Sequence, residues 1–119
     1  MSYSSQDLHK KLLGKKGEKL AVSYLKKQGL KILKTNYRTP FGEADILAQD
    51  KDDTVFVEVK TRTSDSYGRP SEAVTSQKRR RYIQMAKFYF LEQGEEENIR
   101  FDVVEVWADG TIEHISNAF

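Results

Sequence analysis

The chain has 119 residues, 38% hydrophobic and 32% charged, with a net charge of +2 and a pI near 8.8; this suits one compact core, so residues 1–119 are expected to form a single domain. The absence of cysteine excludes disulfides, zinc-thiolate sites and a thiol nucleophile. There is no basic leader followed by an apolar run and no stretch of about 20 apolar residues, so a cytoplasmic location without membrane association is expected.

In chain order, periodicity predicts a helix over Asp7–Gln28, with Leu13, Leu20, Ala21, Tyr24 and Leu25 on one stripe and Gly29 placed to end it. Leu30–Tyr37 reads as a strand. Gly42–Ala48 and Val55–Arg62 then read as the arms of a β-hairpin around the turn residues Asp50-Lys51-Asp52-Asp53. Thr63–Pro70 reads as a loop, followed by a helix from Ser71 or Thr75 to Gln93 that Gly94 terminates. Arg100–Ala108 and Thr111–Ser116 flank Asp109-Gly110, a two-residue hairpin signal. The order is α-β-β-β-α-β-β. Lysine and arginine cluster at Lys10-Lys11, Lys15-Lys16, Lys26-Lys27 and Lys78-Arg79-Arg80-Arg81, a segregation that suits a polyanion or simply solvated helix faces.

The hairpin carries the chemistry. If Gln49 pairs with Thr54, Asp45 falls opposite Glu58 and Glu43 opposite Lys60, and alternation sends all four side chains to one face. Opposed Cβ atoms lie roughly 4.5 to 5.5 Å apart, where like charges repel, so Asp45 and Glu58 call for a cation. Mg²⁺ fits, because it accepts one or two carboxylates and keeps waters that a substrate phosphate can displace. Glu-x-Lys in a strand is by itself common on solvated sheet faces. Leu47 and Phe56 share this face, however, and carboxylates on a partly covered face are costly unless paired or metal-bound.

Asp45 and Glu58-Val59-Lys60 resemble the acidic and E-x-K elements of the PD-(D/E)xK nucleases. Further matching stretches are Gly17-Glu18, Asn36-Tyr37-Arg38, Gly42-Glu43-Ala44-Asp45, Val57–Arg62, Arg100–Val104 and Asn117-Ala118-Phe119. Through them the chain is similar to the YraN-like predicted endonucleases, relatives of archaeal Holliday junction resolvases. The resemblance implies an α/β restriction-endonuclease-like core, of order α-β-β-β-α-β, with a mixed central sheet flanked by helices. It also implies DNA as partner, branched or junction DNA in repair or recombination among the candidates, and a homodimer. From spacing alone Glu18 reads as a surface glutamate; the resemblance makes it an additional acid at the metal site, joining Glu43, Asp45 and Glu58.

The expected chemistry is hydrolysis of DNA phosphodiester bonds with Mg²⁺ or Mn²⁺. Asp45 and Glu58 would be ligands, and the Val59 carbonyl could add an oxygen. Lys60 would orient or deprotonate the water, its plain alternative being a salt bridge to Glu43. Arg38, Arg62 and Arg69 could contact phosphates or be ordinary surface arginines. Gln77, Lys78 and Arg81 at the start of the second helix either approach the site and the phosphates or form a solvated turn. His9 and His114 read as surface or packing residues, and Phe101 and Trp107 as core. Phe88–Leu91 is apolar nearly all round its helix, so either a second copy or Phe119 should cover it. The competing class is a nucleic-acid-binding module that keeps the fold but acts only with a partner or does not cleave.

Overall fold

The computed structural model describes residues 5–62, 75–94 and 98–119, with side chains of the first helix described from Gly14 onward. Helix α1 (Ser5–Lys27) leads into strands β1 (Lys31–Thr39), β2 (Gly42–Asp50) and β3 (Asp53–Arg62). Helix α2 (Ser76–Gln93), β4 (Asn98–Trp107) and β5 (Ile112–Ile115) follow. The strands form one sheet in the order β1-β2-β3-β4-β5. β3 and β4 run parallel and the other neighbouring pairs antiparallel. Because α2 lies between the parallel strands in sequence, it is the crossover such a pair requires. This is the mixed sheet of the expected α-β-β-β-α-β order, compatible with a restriction-endonuclease-like core.

Local chemistry explains the element ends. At α1, Gly29 takes φ 95°, its N–H donates to the Lys26 carbonyl, and the Leu30 N–H donates to the Leu25 carbonyl. That is a Schellman motif, and Leu25 and Leu30 are both buried in the same cluster. At α2, the Thr75 hydroxyl accepts from the Lys78 N–H, and Gly94 closes the helix at φ 80°. Two turns differ from expectation. Asp50 and Asp53 pair, so the β2–β3 turn is only Lys51-Asp52, with Lys51 in the left-handed region at φ 55°. At β4–β5 the Trp107 N–H donates to the Thr111 carbonyl, leaving Ala108–Gly110 as a three-residue loop with Gly110 at φ 92°, the turn-plus-left-handed form of a hairpin.

Each face of the sheet buries one cluster. α1 contributes Ala21 and Leu25 to Ile46, Ala48, Val55, Val57, Val104 and Val106. α2 contributes Tyr82, Met85, Ala86 and Tyr89 to Tyr37, Ala44, Leu47 and Phe56. Phe119 lies against Tyr82 and Phe101, with ring centroids 4.8 and 5.5 Å away, while Phe88 and Phe90 pack on the same cluster. The C-terminal residue thus helps cover α2, although Leu91 remains 83% exposed.

Gly17 sets how closely α1 approaches the sheet. A Cβ there would stand 2.1 Å from Thr61 Cγ2 and 3.5 Å from Thr61 Cβ, and the branched Thr61 side chain has little rotamer freedom to retreat. Gly17→Ala is therefore expected to destabilise by about 1–3 kcal/mol, despite a gain in helix propensity of up to about 1 kcal/mol. Thr61→Ser, which removes that methyl group, should recover most of the loss when combined with it. Urea unfolding of the single and double variants measures this, and a double variant no better than Gly17→Ala would disprove the contact.

Candidate active site

The site lies where β2 and β3 part. Their pairing runs from Asp50–Asp53, through Gln49–Thr54, to Ile46–Val57. The next positions are Asp45 and Glu58, as the register predicted. Here the side chain replaces the ladder: Asp45 Oδ2 accepts from the Val59 N–H at 2.8 Å. On β1, Asn36 sits between the Thr35–Ile46 and Tyr37–Ala44 pairs in a left-handed conformation, φ 52°. Strict alternation along β2 also breaks here, since Ala44 joins the α2-side cluster with Leu47 whereas Ile46 joins the α1-side cluster. Asp45 thus stands where the face alternation of β2 breaks, and groups from both helices reach it.

From the α1 side comes Glu18, one residue after the close contact at Gly17. Its carboxylate is hydrogen-bonded by the Asn36 side chain, and burial and the charge of Glu43 raise its pKa. Asp45 is pushed up to about 6, first by burial and then by Glu18, Glu58 and Glu43, against the opposing pull of the Val59 N–H. From the α2 side comes Lys78. It begins the inward stripe that continues through Tyr82, Met85 and Tyr89, and its Nζ donates to Glu58 Oε1 at 2.6 Å. Lys60 Nζ stands 3.6 Å from the same oxygen. Burial, and then Lys78, lower the Lys60 pKa, while Glu58 opposes the shift. Tyr82 lies beneath these groups, its pKa raised far above the usual phenol range by burial and then by Glu58, Asp45 and Glu43.

Glu18, Glu43, Asp45, Glu58 and Lys60 are thus electrostatic neighbours, with Lys78 added. Glu43 pairs with Arg38 across the β1–β2 ladder at 3.5 Å rather than with Lys60. Arg62 follows Lys60 by two residues on β3. It shares the α2-side parity of Glu58 and Lys60, and its Nε donates to the fully buried Glu105. Arg38 is solvent-facing, Gln77 and Arg81 are exposed on α2, and Arg69 lies outside the described residues. Asn36 and Tyr82 belong to the surroundings but were missed. A mid-strand Asn tolerant of left-handed backbone was the available signal for the first; for the second, Tyr82 shares a helical stripe with Lys78.

Among the described residues, no three His, Asp or Glu side chains stand together as a ready metal cage. The donor set nevertheless fits a hard divalent ion. Glu58 Oε2 is buried without a hydrogen-bond partner, and Glu18, Glu58 and Glu43 together raise the cost of ionising Asp45. Asp45 and Glu58 could supply oxygens while water completes the sphere. Without an ion the ionised Asp45 is destabilising. Its folded pKa lies above the unfolded value of about 3.9, so stability falls as pH rises from about 4 through 6. Asp45→Asn, whose amide oxygen can still accept from Val59, should therefore stabilise the metal-free protein by about 3 kcal/mol at pH 8 and give no gain at pH 4. Urea titrations at both values check this; an equal effect at both would remove the charge as its cause.

Residues 17–106 match the sequence profile described as uncharacterised protein family UPF0102. A UPF0102 protein of Thermodesulfovibrio yellowstonii is 48% identical over 107 residues, covering 90% of this chain and 95% of the relative. One from Geobacter metallireducens is 49% identical over 116 residues, covering 94% and 95%. One from Clostridioides difficile is 44% identical over 114 residues, covering 94% of this chain and all of the relative. The matched span runs from the Gly17 contact through the acids and both lysines to β4, so the chain belongs to the UPF0102 family, the YraN-like proteins.

Proposed function

We propose that this protein is a metal-dependent endonuclease of the PD-(D/E)xK type that hydrolyses DNA phosphodiester bonds. The observation that carries the proposal is the Asp45–Glu58–Lys60 constellation at the parting of β2 and β3, with a buried carboxylate oxygen left unpartnered. A bound Mg²⁺ or Mn²⁺ would polarise the phosphate and lower the pKa of a coordinated water. Asp45 and Glu58 would hold it, with the Val59 carbonyl and Glu18 as further oxygens. The carboxylate of Asp45, fixed by the Val59 N–H, presents a defined lone pair. Lys60, whose pKa burial and Lys78 depress, would orient the attacking water and take up or stabilise charge at the phosphate. Lys78 holds Glu58 through Oε1 and would be a second cation beside the phosphate. A groove bordered by Lys15, Lys19 and Arg38 opens beside Glu18 and suits a phosphate backbone.

Among the described residues no helix is long and apolar enough to cross a membrane. DNA as the partner, a cytoplasmic location and a homodimer joined through the exposed Leu91 side of α2 form part of the same proposal. The test is cleavage of duplex, single-stranded, flapped and four-way DNA with Mg²⁺ or Mn²⁺, using Asp45→Asn as the control for contaminating nuclease. Mn²⁺ titration of backbone NMR signals around Asp45 and Glu58 runs in parallel. Metal-dependent cutting lost in Asp45→Asn supports the enzyme. DNA binding with neither cutting nor a metal response would instead favour a non-catalytic binding module.

A further inference from the structure

We propose that the open groove between α2 and the β1–β2 turn binds unpaired nucleotides of a DNA substrate, with Phe41 as the stacking platform and Arg80 and Arg81 on the phosphates. This rests on the reading that the protein acts on DNA and specifies the strand form it takes. The groove has a volume of about 760 Å³ and is lined by Phe41, Thr75, Ser76, Gln77, Arg80, Arg81 and Gln84. Among the described residues that line it there is no carboxylate. Two arginines with glutamine and hydroxyl donors complement an anion, and a single aromatic face among them complements a base rather than an apolar peptide.

The turn is built to present that aromatic ring. Phe41 is 44% exposed in the two-residue turn between the paired Thr39 and Gly42. The Thr39 hydroxyl accepts from the Phe41 N–H at 3.0 Å and donates to the Gly42 carbonyl at 3.0 Å. The Phe41 ring is braced edge-on by Phe88, with centroids 6.5 Å apart. Gly42 follows at φ 144°, and a Cβ there would come within 2.7 Å of Arg81 Cδ. The aliphatic stem of Arg81 therefore lies on the turn and carries its charged end along the groove.

The groove also leads to the acids. Gln77, Arg81 and Gln84 recur at helical spacing on one face of α2, while Lys78 on the adjoining face reaches Glu58. Glu43, the residue after Gly42, contributes to the field at Asp45. A strand whose base stacks on Phe41 thus runs toward the site of cleavage. In intact duplex every base face is already stacked, so Phe41 can take only an unpaired base from a flap, overhang or junction arm.

The full chain is tested in EDTA, which separates binding from cleavage, by fluorescence anisotropy. The probes are a blunt duplex and the same duplex with a single-stranded extension of about 10 nucleotides, within the range one such site covers. The wild type should prefer the extended DNA. Phe41→Ser should lose about tenfold in affinity for it and nothing for the blunt duplex. Arg80→Gln with Arg81→Gln should weaken the extended complex and flatten its salt dependence, by roughly 0.7 of a slope unit per lost contact. Phe41→Trp should keep the preference, with tryptophan emission altered only by the extended DNA. A folded Phe41→Ser variant with wild-type affinity for the extended DNA, or Phe41→Trp emission unmoved at saturation, overturns the proposal. The preference in EDTA without cleavage in Mg²⁺ would overturn the nuclease reading alone, and binding to neither DNA would overturn both.

Discussion

Lys60→Ala is expected to lower DNA cleavage by roughly 10³-fold, within the range for loss of a positioned proton-transfer group or transition-state donor. It should leave the fold and most DNA affinity intact. Lys60 and Lys78 share Glu58 Oε1, at 3.6 and 2.6 Å. When Lys60 is removed, Lys78 still neutralises the carboxylate, so no buried charge is orphaned and stability should change little. Phosphate affinity is spread over many cations and one lysine contributes little to it. Cleavage by the proposed mechanism, by contrast, would need an amine at this place. Lys60→Arg should not restore cleavage, because a guanidinium is longer, planar and never deprotonates in proteins. The measurement is single-turnover cleavage at saturating enzyme beside binding in EDTA. Cleavage near the wild-type rate in either variant would remove Lys60 from the chemistry and leave Lys78 as the amine to test.

The same pair of lysines marks the boundary of what the sequence makes legible. The register of the β2–β3 hairpin followed from turn length and alternation, and Gln49 does face Thr54. Asp45 and Glu58 could therefore be juxtaposed without coordinates. The element order was equally readable, because Gly29, Thr75, Gly94 and Gly110 carry strong local signals for caps and turns. Contacts between elements distant in sequence were harder to read. Lys78 could be read either as approaching the site and the phosphates or as one member of a solvated basic run. Only the packing of Tyr82, Met85 and Tyr89 turns its side chain inward onto Glu58. Arg62 looked like a surface cation because nothing local to β3 reveals a buried glutamate on β4. The parallel pairing of Lys60 with Glu105 and Arg62 with Trp107 creates that contact. The break of alternation at Asp45 beside the left-handed Asn36 was also hidden, since alternation rules describe regular strands.

Asp102→Ala is expected to cost about 3–5 kcal/mol, the range for removing one partner of a buried ion pair. Asp102 is fully buried and accepts from Arg100 Nη2 at 3.0 Å and from the Asn117 N–H at 3.1 Å, and its Oδ2 lies 2.8 Å from His114 Nε2. Arg100 also reaches Asp50 at 2.9 Å and Asp53 at 3.6 Å, so one carboxylate joins the β2–β3 turn, β4, β5 and the C-terminal residues. The Ala118 N–H donates to the Phe101 carbonyl, which seats Phe119 on Tyr82. The Arg100–Val104 and Asn117–Phe119 stretches that carry part of the family resemblance are thus two sides of one structural tie, which borders β3 where Asp102 pairs with Val57 and Val103 with Glu58. Burial raises the Asp102 pKa, but the hydrogen bonds of His114, Arg100 and the Asn117 N–H outweigh it and hold the carboxyl below its usual range. Its stabilisation is therefore complete above the unfolded value of about 3.9 and lost as pH falls through the folded value. The difference between wild type and the isosteric Asp102→Asn should be full at pH 7 and shrink progressively below about pH 4. Guanidinium unfolding across this range measures it. A constant difference would assign the stabilisation to packing, whereas loss of Asn117 and Phe119 amide protection in Asp102→Asn, with α1 unchanged, would assign it to the tie.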